Sequence, residues 1–124
     1  MHRSRLAGFI VDCQEADLDE ASRFWTEALG MKATGREAAY ECLDASERDL
    51  HIEIQRVDHE SRVHLDIESD DVDAEAARLE ALGATRVGRR HTWWVMQAPT
   101  GQRFCVVRAK KSLVGAAGAR VWGE

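Results

Sequence analysis

Between residues 50 and 55 the chain alternates strictly, with Leu50, Ile52 and Ile54 on one side of an extended strand and His51, Glu53 and Gln55 on the other. Residues 62–68 set Val63, Leu65 and Ile67 against Arg62, His64 and Asp66, and residues 103–108 set Phe104 and Val106 against Arg103, Cys105 and Val107. An earlier strand over 6–13 places Phe9, Val11 and Cys13 opposite Gly8, Ile10 and Asp12. A different period appears at Leu18, Ala21, Trp25, Ala28 and Leu29, whose three- and four-residue spacing predicts one buried helical stripe. Asp17 or Asp19 is suited to cap that helix and Gly30 to end it. A second helix is predicted over 71–82, stopped by Gly83. Short strands are predicted over 32–36, 39–43 and 50–57, and again over 85–87, 92–97 and 103–108, with Pro99-Thr100-Gly101-Gln102 turning the last pair.

The order strand, helix, three strands therefore occurs twice, and the helical segments themselves repeat. Residues 17–30 return one residue shorter as 71–83, from Asp17-Leu18-Asp19 to Leu29-Gly30 and from Asp71-Val72-Asp73 to Leu82-Gly83. Two copies of roughly fifty residues are too few and too long for a solenoid. They predict an α+β fold of two similar modules, one over about 5–58 and the other over about 62–109, within a single domain over 1–109. Asp58-His59-Glu60-Ser61 is the polar link. Clefts between repeated units favour small ligands. The tail, 110–124, is rich in Lys, Gly and Ala; it reads as loosely held, with Val121-Trp122 docking, or as an arm packing on a partner subunit.

Composition narrows the classes. The 124 residues are 44% apolar and 31% charged, with a net charge of −5. Scattered Lys and Arg give no basic stripe of the kind that nucleic-acid binding needs. No stretch approaches the ~20 apolar residues of a membrane span, and the apolar run after Met1-His2-Arg3-Ser4-Arg5 ends at Asp12, too soon for a signal peptide. Three widely spaced cysteines without a CxxC pair fit reduced thiols and a cytoplasmic setting.

The polar stripes concentrate chemistry: two His, two carboxylates, two Arg, a Gln and a Cys. One face of an antiparallel sheet commonly meets water, so these stripes either face solvent or line a curled cavity. His64 could bond Glu53 or Asp66 structurally, or serve as ligand, acid–base group or metal donor. Cys105 reads as a small buried hydrophobe before it reads as a nucleophile. Of Trp93 and Trp94, one faces the helix layer and the other a cavity or partner, as core or as a stacking wall. The run Ser69-Asp70-Asp71-Val72-Asp73 is a loop and helix cap, lacking the glycine and terminal glutamate of a calcium loop. No Ser-His-Asp signature or phosphate-cradling glycine loop is present.

Taken in order, Asp17-Leu18-Asp19, Phe24-Trp25, Leu29-Gly30-Met31, Arg62-Val63-His64-Leu65-Asp66-Ile67, Asp71-Val72-Asp73, Leu82-Gly83-Ala84-Thr85 and Ala98-Pro99-Thr100-Gly101-Gln102-Arg103-Phe104-Cys105 resemble the vicinal-oxygen-chelate superfamily. That group includes glyoxalase I, extradiol dioxygenases and bleomycin-resistance proteins; the small bacterial glyoxalase-like domain proteins are the nearest in pattern. The resemblance covers about residues 6–108. It implies paired βαβββ modules curling into a mixed sheet around a cavity, with helices outside, commonly completed by homodimerisation. It also implies, in metal-dependent members, four ligands from the first and last strands of both modules. Carried over, these positions are His64, Glu53 (or Gln55, if the register slips by one pair) and Cys105. The first strand offers only Leu6, Gly8 and Ile10, so the four-ligand set is broken.

The resemblance implies a homodimeric protein that binds a small molecule, and the missing first-strand ligand favours a binding protein with no cofactor. Its cup would be lined by His51, Glu53, Gln55, His64, Asp66, Cys105 and Trp93 or Trp94, with Arg103 close by. The competing reading is a lyase, isomerase or oxygenase, acting through His64 with Glu53 or through a zinc-like divalent metal on His64, Glu53 and Cys105. An interaction module with a vestigial cavity is the third. Fold alone does not choose between them.

Overall fold

In the computed structural model, which describes residues 1–14 and 17–123, the elements follow the order read from the sequence. They are β1 (His2–Gln14), α1 (Leu18–Leu29), β2 (Ala33–Glu37), β3 (Tyr40–Leu43), a 3-10 turn (Ser46–Arg48), β4 (His51–Val57), β5 (Arg62–Ser69), α2 (Val72–Ala81), β6 (Thr85–Arg90), β7 (Trp93–Gln97), β8 (Arg103–Arg108) and β9 (Arg120–Trp122). The fold is α+β, with the βαβββ pattern present twice. No helix among the described residues is long and apolar enough to cross a membrane.

Two compact units form: Gly8–His64, and Leu65–Glu124 together with Met1–Ala7. The division differs from the sequence modules because the first residues of β1 associate with the second unit. In the Gly8–His64 unit, β3 pairs antiparallel with β2 and β4, and β4 pairs parallel with β1. The other unit repeats this arrangement: β7 pairs antiparallel with β6 and β8, and β8 runs parallel to β5. A parallel pair needs a long crossover, and in each unit the chain between the two parallel strands includes the helix.

Capping explains where the helices begin. The Asp17 carboxylate accepts from the Asp19 amide at 2.9 Å, and Asp71 accepts from the Ala74 amide at 3.0 Å, each satisfying an orphaned donor of the first turn. Gly30 ends α1 in the left-handed region, at φ 67°. Under α1, Leu18, Leu43, Ala45, Ile52 and Ile54 form a buried cluster, with Trp25 and Ala21 against it. The predicted stripe is buried only in part, since Ala28 and Leu29 are exposed.

In the second unit α2 lies across β6, β7 and β8. Its cluster is Val72, Ala76, Ala84, Met96 and Val106, with Leu79, Trp94 and Phe104 packed on it. Val63 and Leu65, on the aliphatic face of β5, are 59% and 45% exposed. The helix covers the three strands that follow it rather than the one before.

The tail carries β9, which pairs antiparallel with β1 over His2–Ser4. That pairing is why β1 starts at His2 and not near residue 6. Trp122 Nε1 donates to Ser4 Oγ at 2.9 Å, and the Arg78 guanidinium lies 3.9 Å from the Trp122 ring centre. Glu75, fully buried, accepts from Arg78 Nε and Nη2 at 2.8 Å each and bonds His2 Nε2 at 2.8 Å.

Candidate functional site

Register decides which side chains of the Gly8–His64 unit share a face. Gly8, Ile10 and Asp12 of β1 stand beside His51, Glu53 and Gln55 of β4. On the far side of β4, Cys42 stands opposite Glu53 and Tyr40 opposite Gln55. The opposite face holds Ile52, Ile54 and Leu43 against α1. The polar face is therefore two rows: Ile10–Glu53–Cys42 and Asp12–Gln55–Tyr40.

Gly8 permits this arrangement. A Cβ there would lie 1.7 Å from the His51 carbonyl oxygen, so only glycine lets β1 approach β4 beside His51.

The first row carries a tight cluster. His51 Nε2 lies 2.6 Å from Glu53 Oε1, and Cys42 Sγ lies 3.7 Å from the same oxygen. One ligand atom from each of the three falls within 4.8 Å of the others. Ile10, on the inner side of Glu53, is apolar and buried.

The second row contains a buried carboxylate and an imidazole held by it. Asp12 is 2% exposed; its Oδ2 lies 2.7 Å from His64 Nδ1 and 3.8 Å from Arg62 Nε. An ionised carboxylate only accepts, so in this pair Nδ1 is the donor to Asp12. Asp12 Oδ1 is buried with no hydrogen-bond partner among the described residues. Buried carboxylate oxygens are normally satisfied, so this atom has an unmet demand for a hydrogen-bond donor. Gln55 Nε2 donates to Tyr40 Oη at 3.3 Å along the same row.

A groove of about 320 Å³ also opens in this unit, lined by Val11, Asp12, Cys13, Trp25, Ser61, Arg62 and Val63. Its lining is mostly apolar but includes Asp12, the carboxylate that holds His64. Burial, aided by the charge of Asp12, raises the Cys13 thiol above its ordinary pKa and leaves it a poor nucleophile.

The other unit holds the remaining predicted residues. Asp66 and Cys105 are register partners across β5 and β8. Arg103 Nε donates to Gln97 Oε1 at 2.8 Å. Trp94 is the indole turned to the helix layer; its Nε1 donates to Asp73 at 2.9 Å, and Arg86 and Arg89 lie 4.6 and 5.1 Å from its ring centre. Trp93 alternates to the other face and sits 5.5 Å from the His91 ring. Of the expected residues, the structure brings His51 and Glu53 into direct contact, and it gives His64 a bond to Asp12.

Three members of the polar face were missed from sequence: Asp12, Cys42 and Tyr40. Alternation already placed Asp12 beside Gly8 and Ile10, so its face was legible. That Cys42 and Tyr40 join His51, Glu53 and Gln55 depends on the pairing of β3 with β4, which no local period encodes.

The fit of a four-ligand metal site can be tested on the register. The β1 residue beside Glu53 is Ile10, which has no donor atom. The four-ligand set implied by the resemblance does not fit this chain.

The comparisons agree on the fold. The sequence profile of the glyoxalase-like domain family matches residues 8–107. No curated protein matches the sequence. Among solved structures, methylmalonyl-CoA epimerase from Mycobacterium tuberculosis superposes with a TM-score of 0.68 at 20% identity, covering 90% of this chain and 92% of that one. The Mn(II)-bound glyoxalase from Novosphingobium aromaticivorans gives 0.64 at 21% identity, over 91% of this chain and 43% of that one. Homoprotocatechuate 2,3-dioxygenase from Brevibacterium fuscum, in complex with 3,4-dihydroxyphenylacetate, gives 0.62 at 15% identity, over 84% and 36%. At such identities these structures speak for the fold alone. The repeated βαβββ order and the profile match across most of the chain place this protein in the glyoxalase-like domain family of the vicinal-oxygen-chelate superfamily.

Proposed function

We propose that the chain binds a small, oxygen-bearing organic molecule on the polar face of the Gly8–His64 unit, without a four-ligand metal site. The observation that carries this reading is the Asp12–His64 pair: a nearly inaccessible carboxylate with one oxygen on an imidazole and the other oxygen buried and unbonded. A ligand hydroxyl or amide that reaches Oδ1 satisfies it. A ligand carbonyl, enol or carboxylate is matched by the donors of Tyr40 and Gln55 in the same row. A homodimer, as the resemblance implies, is part of the proposal.

A catalytic reading draws on the same pair. Asp12 fixes the tautomer of His64, so Nε2 can take a proton from a bound substrate while the buried carboxylate stabilises the imidazolium formed. The proton would return from Nε2 to the same substrate, giving isomerisation or epimerisation with no net change in charge.

The test is thermal stabilisation of the purified protein by two probes, methylmalonyl-CoA and 3,4-dihydroxyphenylacetate, compared among wild type, His64→Ala and Asp12→Asn. Stabilisation of the wild type by either probe, lost in both variants while circular dichroism stays native, supports the reading. Equal stabilisation of all three proteins, or none in the wild type up to millimolar concentrations of either probe, sinks it for these ligand classes. Sedimentation at micromolar concentration should show about twice the mass of one chain; a monomer removes the dimer from the proposal.

A further inference from the structure

We infer that Cys42, His51 and Glu53 form a binding site for a borderline-soft divalent cation such as Zn²⁺, one strand outward from the position where the superfamily resemblance would put a metal. Glu53 is the pivot. On its β1 side stands Ile10, buried and without a donor, so coordination cannot extend inward. On its β3 side stands Cys42, its direct cross-strand partner. His51, two residues along β4, points to the same face and already reaches the Glu53 carboxylate.

The donor set selects the metal. A thiolate, an imidazole and a carboxylate suit Zn²⁺ or Co²⁺, whereas Mg²⁺ and Mn²⁺ favour oxygen shells. The geometry is close to what tetrahedral zinc needs. With metal–sulfur near 2.3 Å and metal–oxygen near 2.0 Å, the sulfur–oxygen edge is about 3.5 Å, against 3.7 Å between Cys42 Sγ and Glu53 Oε1. The nitrogen–oxygen edge is about 3.3 Å by the same reasoning, against 2.6 Å between His51 Nε2 and Glu53 Oε1. Binding therefore requires that hydrogen bond to open by well under 1 Å, within the reach of side-chain rotation.

The surroundings favour loading. All three groups are partly exposed, so an ion can enter. The close approach of β1 at Gly8 fixes the His51 backbone, so one ligand is held before the metal arrives. Binding displaces the Cys42 thiol proton to solvent, requires the His51 proton to sit on Nδ1 so that Nε2 is free to ligate, and leaves a dication balanced by one thiolate and one carboxylate, a neutral centre with the fourth position open to water. This inference uses a different row from the one holding Asp12 and His64, and either can fail alone.

Cobalt titration of the full chain, reduced and metal-free, is the test. Co²⁺ bound through a thiolate gives a near-ultraviolet charge-transfer band, and Zn²⁺ should bleach it on displacement. Expected are one equivalent of Co²⁺ with that band, no band in Cys42→Ser, and affinity lower by more than about tenfold in His51→Ala and Glu53→Gln. Cys105→Ser and Cys13→Ser should keep the band. A band that persists in Cys42→Ser, one that disappears in Cys105→Ser, or no band in the wild type would each overturn the assignment. Circular dichroism of each variant separates loss of ligand from loss of fold.

Discussion

Replacing Glu75 with Gln offers the sharpest test of how the second unit is held together. Glu75 is fully buried yet makes three bonds to charged or chargeable partners, two of them the parallel fork from Arg78 at 2.8 Å. The amide can accept one of the fork's two donors but turns an NH₂ towards the other. Arg78 then keeps its charge with half its partner gone. Charge-assisted bonds contribute about 1.5–3 kcal/mol each, and breaking a buried pair by removing one member costs about 3–5 kcal/mol. Because Arg78 keeps a quarter of its side chain in solvent, the lower end applies, about 3 kcal/mol. For a chain of this size that corresponds to a fall in Tm of about 10 °C.

The pH dependence adds an independent check on Glu75. Burial alone would raise this carboxyl, but the bonds from Arg78, His2 and Ser4 outweigh it and hold its pKa below the ordinary glutamate range. The unfolded chain takes up a proton near pH 4.3, while the folded carboxylate stays ionised to lower pH. The Glu75 contribution is therefore complete above about pH 4.3 and is lost as pH falls through the folded value. Urea unfolding of wild type and Glu75→Gln from pH 7 to pH 3 should show a gap of about 3 kcal/mol that narrows below about pH 4. A gap under about 1 kcal/mol at neutral pH, or one that stays constant in acid, would refute the reasoning.

Other perturbations probe the strand contacts. Gly8→Ala puts a methyl 1.7 Å from the His51 carbonyl oxygen where Cβ atoms keep at least 3.0 Å, so β1 and β4 must part locally. It should cost about 3 kcal/mol, as two or more ladder bonds and their packing are lost. It should also weaken Co²⁺ binding through displacement of His51; a variant as stable as wild type would show that β1 is not so closely seated. Trp122→Ala removes the indole that donates to Ser4 and covers the Arg78 guanidinium. A loss of about 2 kcal/mol in urea unfolding is expected, and hydrogen exchange should quicken at His2–Ser4, where β9 pairs with β1. Unchanged exchange there would mean that β9 contributes nothing to the edge it covers.

Much of the architecture is local and therefore readable from sequence. Alternation at Leu50–Ile54 and the helical spacing of Leu18, Ala21 and Trp25 reflect side-chain geometry within a few residues, as do the caps at Asp17 and Asp71. The repeat carried the same logic to the whole fold, and residues such as His51 and Glu53 were recognisable as chemistry on one face. What alternation cannot encode is the neighbour across a strand pair, because shifting one strand by two residues preserves every face while changing every partner. Only the tertiary structure seats Ile10 and Cys42 on either side of Glu53, hands His64 to Asp12, and lays the tail's Trp122 beside the second residue of the chain. Local periods determined which side chains this protein turns to a common surface; long-range register, set by the packing of whole strands and by one close approach at Gly8, decided which of them meet.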